Sequence, residues 1–273
     1  MSDHLPYAYD VCGSGPVLLV IPGGAGHPMG LEAVTARLAE RFTVVTYDPL
    51  GLSRGPLDEP VGDQRVETWS DNAHRLLEAV LPDGESAYVF GTSSGGIVAL
   101  DLLTRHPERL RRVVAHEPPT VEVLPDAARQ RAMVGEVDAI CRAEGVGPAM
   151  ARLNAGLEYR TWTPPTPSPR PAGMDTGTGT GTPMGIFLAH VLRPFATHTP
   201  DLDTLKRLSS RLTLGAGRDS RHQLPHRTAM LLAEHSGADL VEFPGGHLGC
   251  LEHPVEFADL LARTLTRPGP AES

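Results

Sequence analysis

Lysine, cysteine and aromatic residues are all scarce in this 273-residue chain, and each shortage narrows what it can be. Lys206 is its sole lysine, no run of basic residues occurs, and the net charge is -9, so a nucleic-acid partner is not expected. The three cysteines, Cys12, Cys141 and Cys250, have neither paired nor metal-type spacing. That excludes a disulfide framework or thiolate metal centre and favours a reduced, intracellular chain. No apolar run approaches the ~20 residues that span a bilayer. The longest early one, Val17 to Ile21, is far shorter. The first residues, MSDHLPYAYD, lack a charged-then-apolar signal pattern, so the expectation is a cytoplasmic protein with no membrane span. Neither G-x-x-x-x-G-K-[ST] nor G-x-G-x-x-G occurs, which argues against a nucleotide, and no cofactor or metal is expected. Arginine in place of lysine, with abundant Ala, Gly and Pro, fits a GC-rich bacterial source.

What is present is organised around Ala87 to Arg105, AYVFGTSSGGIVALDLLTR. An apolar run of strand length, Ala87 to Phe90, breaks at Gly91-Thr92-Ser93-Ser94-Gly95 and resumes as an apolar helix carrying Ile97, Val98, Leu100, Leu102 and Leu103. Strand, G-x-S-x-G, then helix is the setting of a nucleophile elbow. The serine must take a strained backbone angle that lifts its hydroxyl clear of the sheet. That angle crowds strand against helix, so only small residues fit two positions to either side. A second match, Gly51-Leu52-Ser53-Arg54-Gly55, leads into Pro56, Asp58 and Pro60, not into an apolar helix. Context selects Ser93 and leaves Ser53 as a loop residue.

Elsewhere strands and helices alternate. Strands are expected at Tyr7 to Val11 (a half-exposed edge), Val17 to Ile21, Phe42 to Tyr47, Leu110 to Ala115, Arg211 to Leu214 and Asp239 to Phe243. Helical spacing covers Leu31 to Arg41, Thr68 to Leu81, Pro225 to His235 and Pro254 to Leu265. Such alternation implies right-handed crossovers and a mostly parallel open sheet with helices on both faces, an α/β fold. Between Pro119 and Leu208 no strand is evident. Helices are expected at Pro125 to Ala143, Gly147 to about Tyr159, and Met184 to Phe195. A Pro-rich and Gly/Thr-rich stretch, about residues 163–183, separates the last two and cannot form a packed core. The expected division is a core of residues 1–118 and 209–273 with an inserted helical lid over 119–208.

A serine nucleophile needs a base, and the base needs an acid to hold its tautomer. Open α/β sheets gather functional groups beyond the carboxyl ends of their strands. His247 lies four residues after the last strand among glycines and is the expected base. His116 competes, but its order relative to Ser93 and the acid is wrong. Asp219 follows the penultimate strand and completes the order Ser, Asp, His, so it is the expected acid, with Glu117 as its rival. Two backbone N–H groups should form an oxyanion hole: that of Ser94, and that of Gly24 in Pro22-Gly23-Gly24-Ala25-Gly26, with Ala25 as the alternative. Cys250 follows no elbow and reads as a packed residue.

With these residues in place, the chain resembles the α/β-hydrolase fold superfamily over nearly its whole length. GTSSG is similar to the family's elbow, GRD and PGGH to its acid and histidine loops, PGGAG to its His-Gly oxyanion loop, and DPLGLSRG to the loop after the next strand. Pro22 stands where the family usually has histidine. The resemblance implies a lid-bearing serine hydrolase that cleaves a small apolar or natural-product ester through an acyl-enzyme, without metal or cofactor. Perhydrolases of the cofactor-free haloperoxidase type, thioesterases and some lyases resemble the same pattern. A ligand-binding protein that kept a hydrolase-like pocket is the non-enzymatic alternative. In the expected lid, Trp162, Phe187 and Leu192 are candidate substrate-binding residues, suited to an apolar pocket. Oligomeric state is not readable.

Overall fold

The computed structural model describes residues 8–25, 30–48, 61–158 and 181–267. The chain runs β1 (Tyr9–Cys12), β2 (Val17–Ile21), α1 (Glu32–Leu38), β3 (Thr43–Tyr47), α2 (Val66–Val80), β4 (Ala87–Thr92), α3 (Ser94–Arg105) and β5 (Leu110–His116). A helical segment follows, with α4 (Ala127–Glu144), α5 (Val146–Gly156), α6 (Pro183–Ile186), a π-helical turn (Phe187–Val191), α7 (Leu192–Ala196) and α8 (Leu202–Arg207). The chain closes with β6 (Leu212–Gly217), α9 (Leu224–Ser236), β7 (Asp239–Phe243), α10 (Gly249–Glu252) and α11 (Pro254–Thr266).

Among the described residues seven strands form one sheet in the order β1-β3-β2-β4-β5-β6-β7. Only β1 is antiparallel to its neighbour; every other pair is parallel. The unbroken apolar runs of the central strands follow from this, because a parallel sheet is covered on both faces. The two-residue side-chain period then divides each run between two cores. Val17, Leu19 and Ile21 of β2, with Val89 of β4 and Val113 of β5, join a cluster that holds α2, α3 and the helical segment. Leu18 and Val20, with Tyr88, Phe90 and Val114, join a second cluster against α1 and α11. The edge strand β1 pairs on one side only, and its four residues are all exposed rather than half-exposed.

The apolar stretch expected as a single helix from Met184 to Phe195 is instead interrupted by the π-turn. The cause is Pro194, whose missing N–H and bulky ring disrupt the bond to the carbonyl four residues back. That carbonyl, of His190, accepts the backbone N–H of Gln64 at 2.8 Å, and Arg142 donates to the carbonyl of Ala189. Two short helices, α8 and α10, are absent from the pattern-based expectation because each is too brief to show periodicity. Among the described residues no helix is long and apolar enough to cross a membrane.

Candidate active site

The elbow forms because two glycines permit it. A Cβ on Gly91 would overlap the backbone of Gly95, and one on Gly95 would overlap the carbonyls of Ile21 and Pro22. Ser93 between them has φ 54° and ψ -126°, a conformation rarely adopted by a residue with a side chain. Neighbouring backbone holds it there. Its N–H donates to the carbonyl of His116 at 2.9 Å, and its carbonyl accepts from Gly96 at 2.8 Å. The hydroxyl is thereby delivered to the carboxyl end of the sheet, at the start of α3.

His247 arrives from the opposite direction, out of the loop after β7. Gly245 turns that loop with φ 72°, and Gly217, whose Cβ would sit 2.6 Å from the backbone of Gly246, lets it lie against the end of β6. The imidazole is almost wholly buried, with Nε2 3.0 Å from Ser93 Oγ. Its other nitrogen, Nδ1, lies 2.9 Å from Oε2 of Glu117. A carboxylate can only accept, so Nδ1 carries the proton and Nε2 is left to accept the serine hydroxyl's.

The carboxylate bonded to His247 is that of Glu117, the rival acid, and not that of the expected Asp219. Asp219 is exposed, and its backbone N–H donates to the carbonyl of Gly245 at 2.9 Å, so this residue ties down the histidine loop through its main chain. Glu117 is fully buried directly after β5, where φ 44° turns its side chain across the end of the sheet toward the histidine. Its second oxygen, Oε1, accepts the N–H of Gly217 at 2.8 Å and the hydroxyl of Ser220. Burial alone would raise the carboxyl's pKa, but the hydrogen bonds from His247 and Ser220 and the nearby imidazoles outweigh it and hold the group down at about 2. Ser220 was not foreseen. A serine three residues past a strand has no signature until the carboxylate it serves is placed.

His116, the competing base, is buried with its ring edge-on to Phe243 and Phe257, and neither ring nitrogen has a hydrogen-bond partner among the described residues. Desolvation drives its pKa down to about 4, which keeps it neutral. Cys250 is buried in α10, and burial pushes its thiol up to about 12, far from a reactive thiolate.

The glycine loop after β2 lies on Ser93: a Cβ on Gly23 would approach the Cβ of Ser93 to 2.6 Å. The N–H of Gly24 donates to the side-chain hydroxyl of Ser94 at 3.1 Å. Ala25 is buried one residue further on. Phe187 and Leu192 are buried in the larger apolar cluster, where Phe195 meets Trp69 edge to face. Trp162, Ser53, Gly26 and most of the Pro- and Gly/Thr-rich stretch lie outside the described residues.

Among the described residues, one grouping is compact enough to suggest a metal: His74, His106 and Glu108. The two imidazoles are stacked, 4.0 Å apart and only 5° from parallel. Imidazole lone pairs lie in the ring plane, so as placed the two rings cannot direct them at one ion. His106 instead bonds Asp71 at 2.9 Å. No part of this grouping belongs to the Ser93 site.

The family model described as "Alpha/beta hydrolase family" matches residues 17–260. The chain belongs to the alpha/beta hydrolase family. Among curated relatives, the uncharacterized hydrolase YraK of Bacillus subtilis (strain 168) is 33% identical over 259 residues, covering 93% of this chain and 90% of that one. Two solved structures share the fold. A hydrolase from Pseudomonas aeruginosa PA01 has a TM-score of 0.65 at 24% identity, covering 97% of this chain and 96% of its own. A thermophilic esterase from Thermogutta terrifontis has a TM-score of 0.67 at 20% identity, covering 95% and 92%. In this alpha/beta hydrolase the elbow, the glycine loop after β2 and the histidine loop all sit at the carboxyl edge of the sheet, where open α/β sheets concentrate their chemistry.

Proposed function

We propose that this alpha/beta hydrolase is a serine hydrolase that cleaves a carboxylic ester or related acyl bond, with Ser93, His247 and Glu117 as nucleophile, base and acid. One observation carries the reading: a single imidazole bridges a strained elbow serine at 3.0 Å and a buried carboxylate at 2.9 Å. Ser93 Oγ attacks the substrate carbonyl while its proton passes to Nε2 of His247. The resulting imidazolium is stabilised by the Glu117 carboxylate, which stays ionised. Collapse of the tetrahedral adduct expels the alcohol, which takes the proton back from Nε2. Water then adds to the acyl-enzyme by the same route, releasing the acid and restoring the serine. The negative charge that develops on the carbonyl oxygen falls beside the N–H groups of Ser94 and Gly24.

The helical segment between β5 and β6 is proposed as a lid, with Phe187 and Leu192 contributing apolar side chains toward a small, apolar ester. A fluorophosphonate probe tests the reaction class. It should label the wild-type protein at Ser93, and Ser93→Ala should abolish labelling and lower kcat toward p-nitrophenyl esters by about 10⁴–10⁶. Absence of wild-type labelling, or full activity in the variant, would remove the acyl-enzyme account. A series of p-nitrophenyl esters of rising chain length then measures the depth of the acyl site.

A further inference from the structure

The residue after the nucleophile holds a feature that backbone donors alone leave unused. Ser94 opens α3, and its side chain is buried. Its hydroxyl accepts the N–H of Gly24 at 3.1 Å, across 70 residues of sequence. Gly24 sits in a left-handed turn with φ 56° and directly follows Gly23, which is packed on Ser93. One of the two N–H groups proposed above for the oxyanion is thus already occupied, and by a hydroxyl belonging to Ser93's own neighbour.

A serine hydroxyl has one proton to give and two lone pairs to receive with. One lone pair of Ser94 takes the Gly24 N–H, while among the described residues no group accepts the Ser94 proton. Accepting a hydrogen bond polarises the hydroxyl and strengthens it as a donor. Such a donor in a buried, pre-positioned place is suited to charge that appears only in the transition state.

We propose that the Ser94 side chain is a direct donor to the developing oxyanion: Gly24 N–H donates to Ser94 Oγ, and Ser94 O–H donates to the substrate's carbonyl oxygen. The inference rests on the serine-hydrolase reading above. It adds a side-chain hydroxyl to the backbone N–H of the same residue, and it replaces the direct bond from Gly24 by one relayed through that hydroxyl. The opposite arrangement is a plug, in which the hydroxyl fills the space in the free protein and turns away when substrate binds.

Steady-state kinetics on a p-nitrophenyl ester separate the two. Ser94→Ala should lower kcat by about 10–10² with KM changed less than threefold, since one oxyanion donor is lost and ground-state binding is not. Ser94→Thr, which keeps the hydroxyl, should recover most of the rate. Affinity for a trifluoromethyl ketone, which forms a tetrahedral oxyanion on Ser93, should fall in parallel with kcat in Ser94→Ala. A kcat that is unchanged or raised in Ser94→Ala would overturn the donor role. So would a loss of rate with undiminished affinity for the ketone. Should Ser94→Ala not fold, Ser94→Cys, close in shape but a weak donor, carries the same comparison. Fluorophosphonate labelling of wild type at Ser93 is measured alongside. If that labelling is absent the underlying reaction has failed; if it is present and Ser94→Ala is fully active, only the role of Ser94 has.

Discussion

Two loops at the carboxyl ends of adjacent parallel strands each carry a carboxylate, and the structure treats them oppositely. The loop after β5 buries Glu117 completely and aims it at His247. The loop after β6 leaves Asp219 in solvent and uses its own backbone and Ser220 to receive the neighbour's carboxylate. Chain order and a place after the penultimate strand favoured Asp219, but reach and satisfaction of lone pairs favour Glu117. A buried carboxylate needs donors for both oxygens to offset its desolvation. Glu117 finds three: His247 on one oxygen, and Gly217 N–H with the Ser220 hydroxyl on the other. The β6 loop thus cradles the Glu117 carboxylate and does not supply the one that His247 meets.

The sharpest way to break this comparison is to remove each carboxylate in turn. Glu117→Gln should lower kcat by about 10³–10⁴, because an amide cannot hold the imidazole in the required tautomer as a carboxylate does. Asp219→Asn should stay within about twofold. Esterase assays showing the reverse pattern would return the acid to the β6 loop. A smaller effect is expected from the cradle. Ser220→Ala deprives the buried carboxylate of one donor and should cost about 1.5–3 kcal/mol in urea unfolding, with a modest loss of kcat. A variant as stable as wild type would mean that Ser220 is not a support.

The same carboxylate gives stability a pH dependence. Glu117 is held at about 2, below the ordinary glutamate value of 4.5. In the range between these values the unfolded state binds the proton and the native state does not. The stability it contributes is therefore fully present above pH 4.5 and is lost as the pH falls toward 2. Urea midpoints across that window should drop more steeply in wild type than in Glu117→Gln, so the gap between them should narrow. Parallel curves would show that the buried carboxylate is not depressed.

Much of the site could be read directly from residues 87–105. Strand, glycines, serine and helix are contiguous there, and the elbow depends on contacts between near neighbours such as Gly91 and Gly95. His247 was also legible, since a glycine-rich loop after the last strand has few roles that require a histidine. The acid was not. Glu117 and Asp219 both follow strands, and choosing between them depends on a left-handed backbone at residue 117 and on which loop His247 enters above. Pro194 offered a local hint of the interrupted helix, yet the carbonyl it freed is satisfied by Gln64, 126 residues earlier in the chain.

Local chemistry, written in the order of the residues, was enough to determine an α/β sheet, the setting of Ser93 and the loop that carries His247. The carboxylate partner of His247 was decided only when β5, β6 and β7 came together. A carboxylate's usefulness to an imidazole depends on distance, direction and desolvation, and these are properties of the assembled sheet edge. The same holds for Ser94: its identity is visible in the chain, but its bond to Gly24 exists only once the loop after β2 folds over the start of α3.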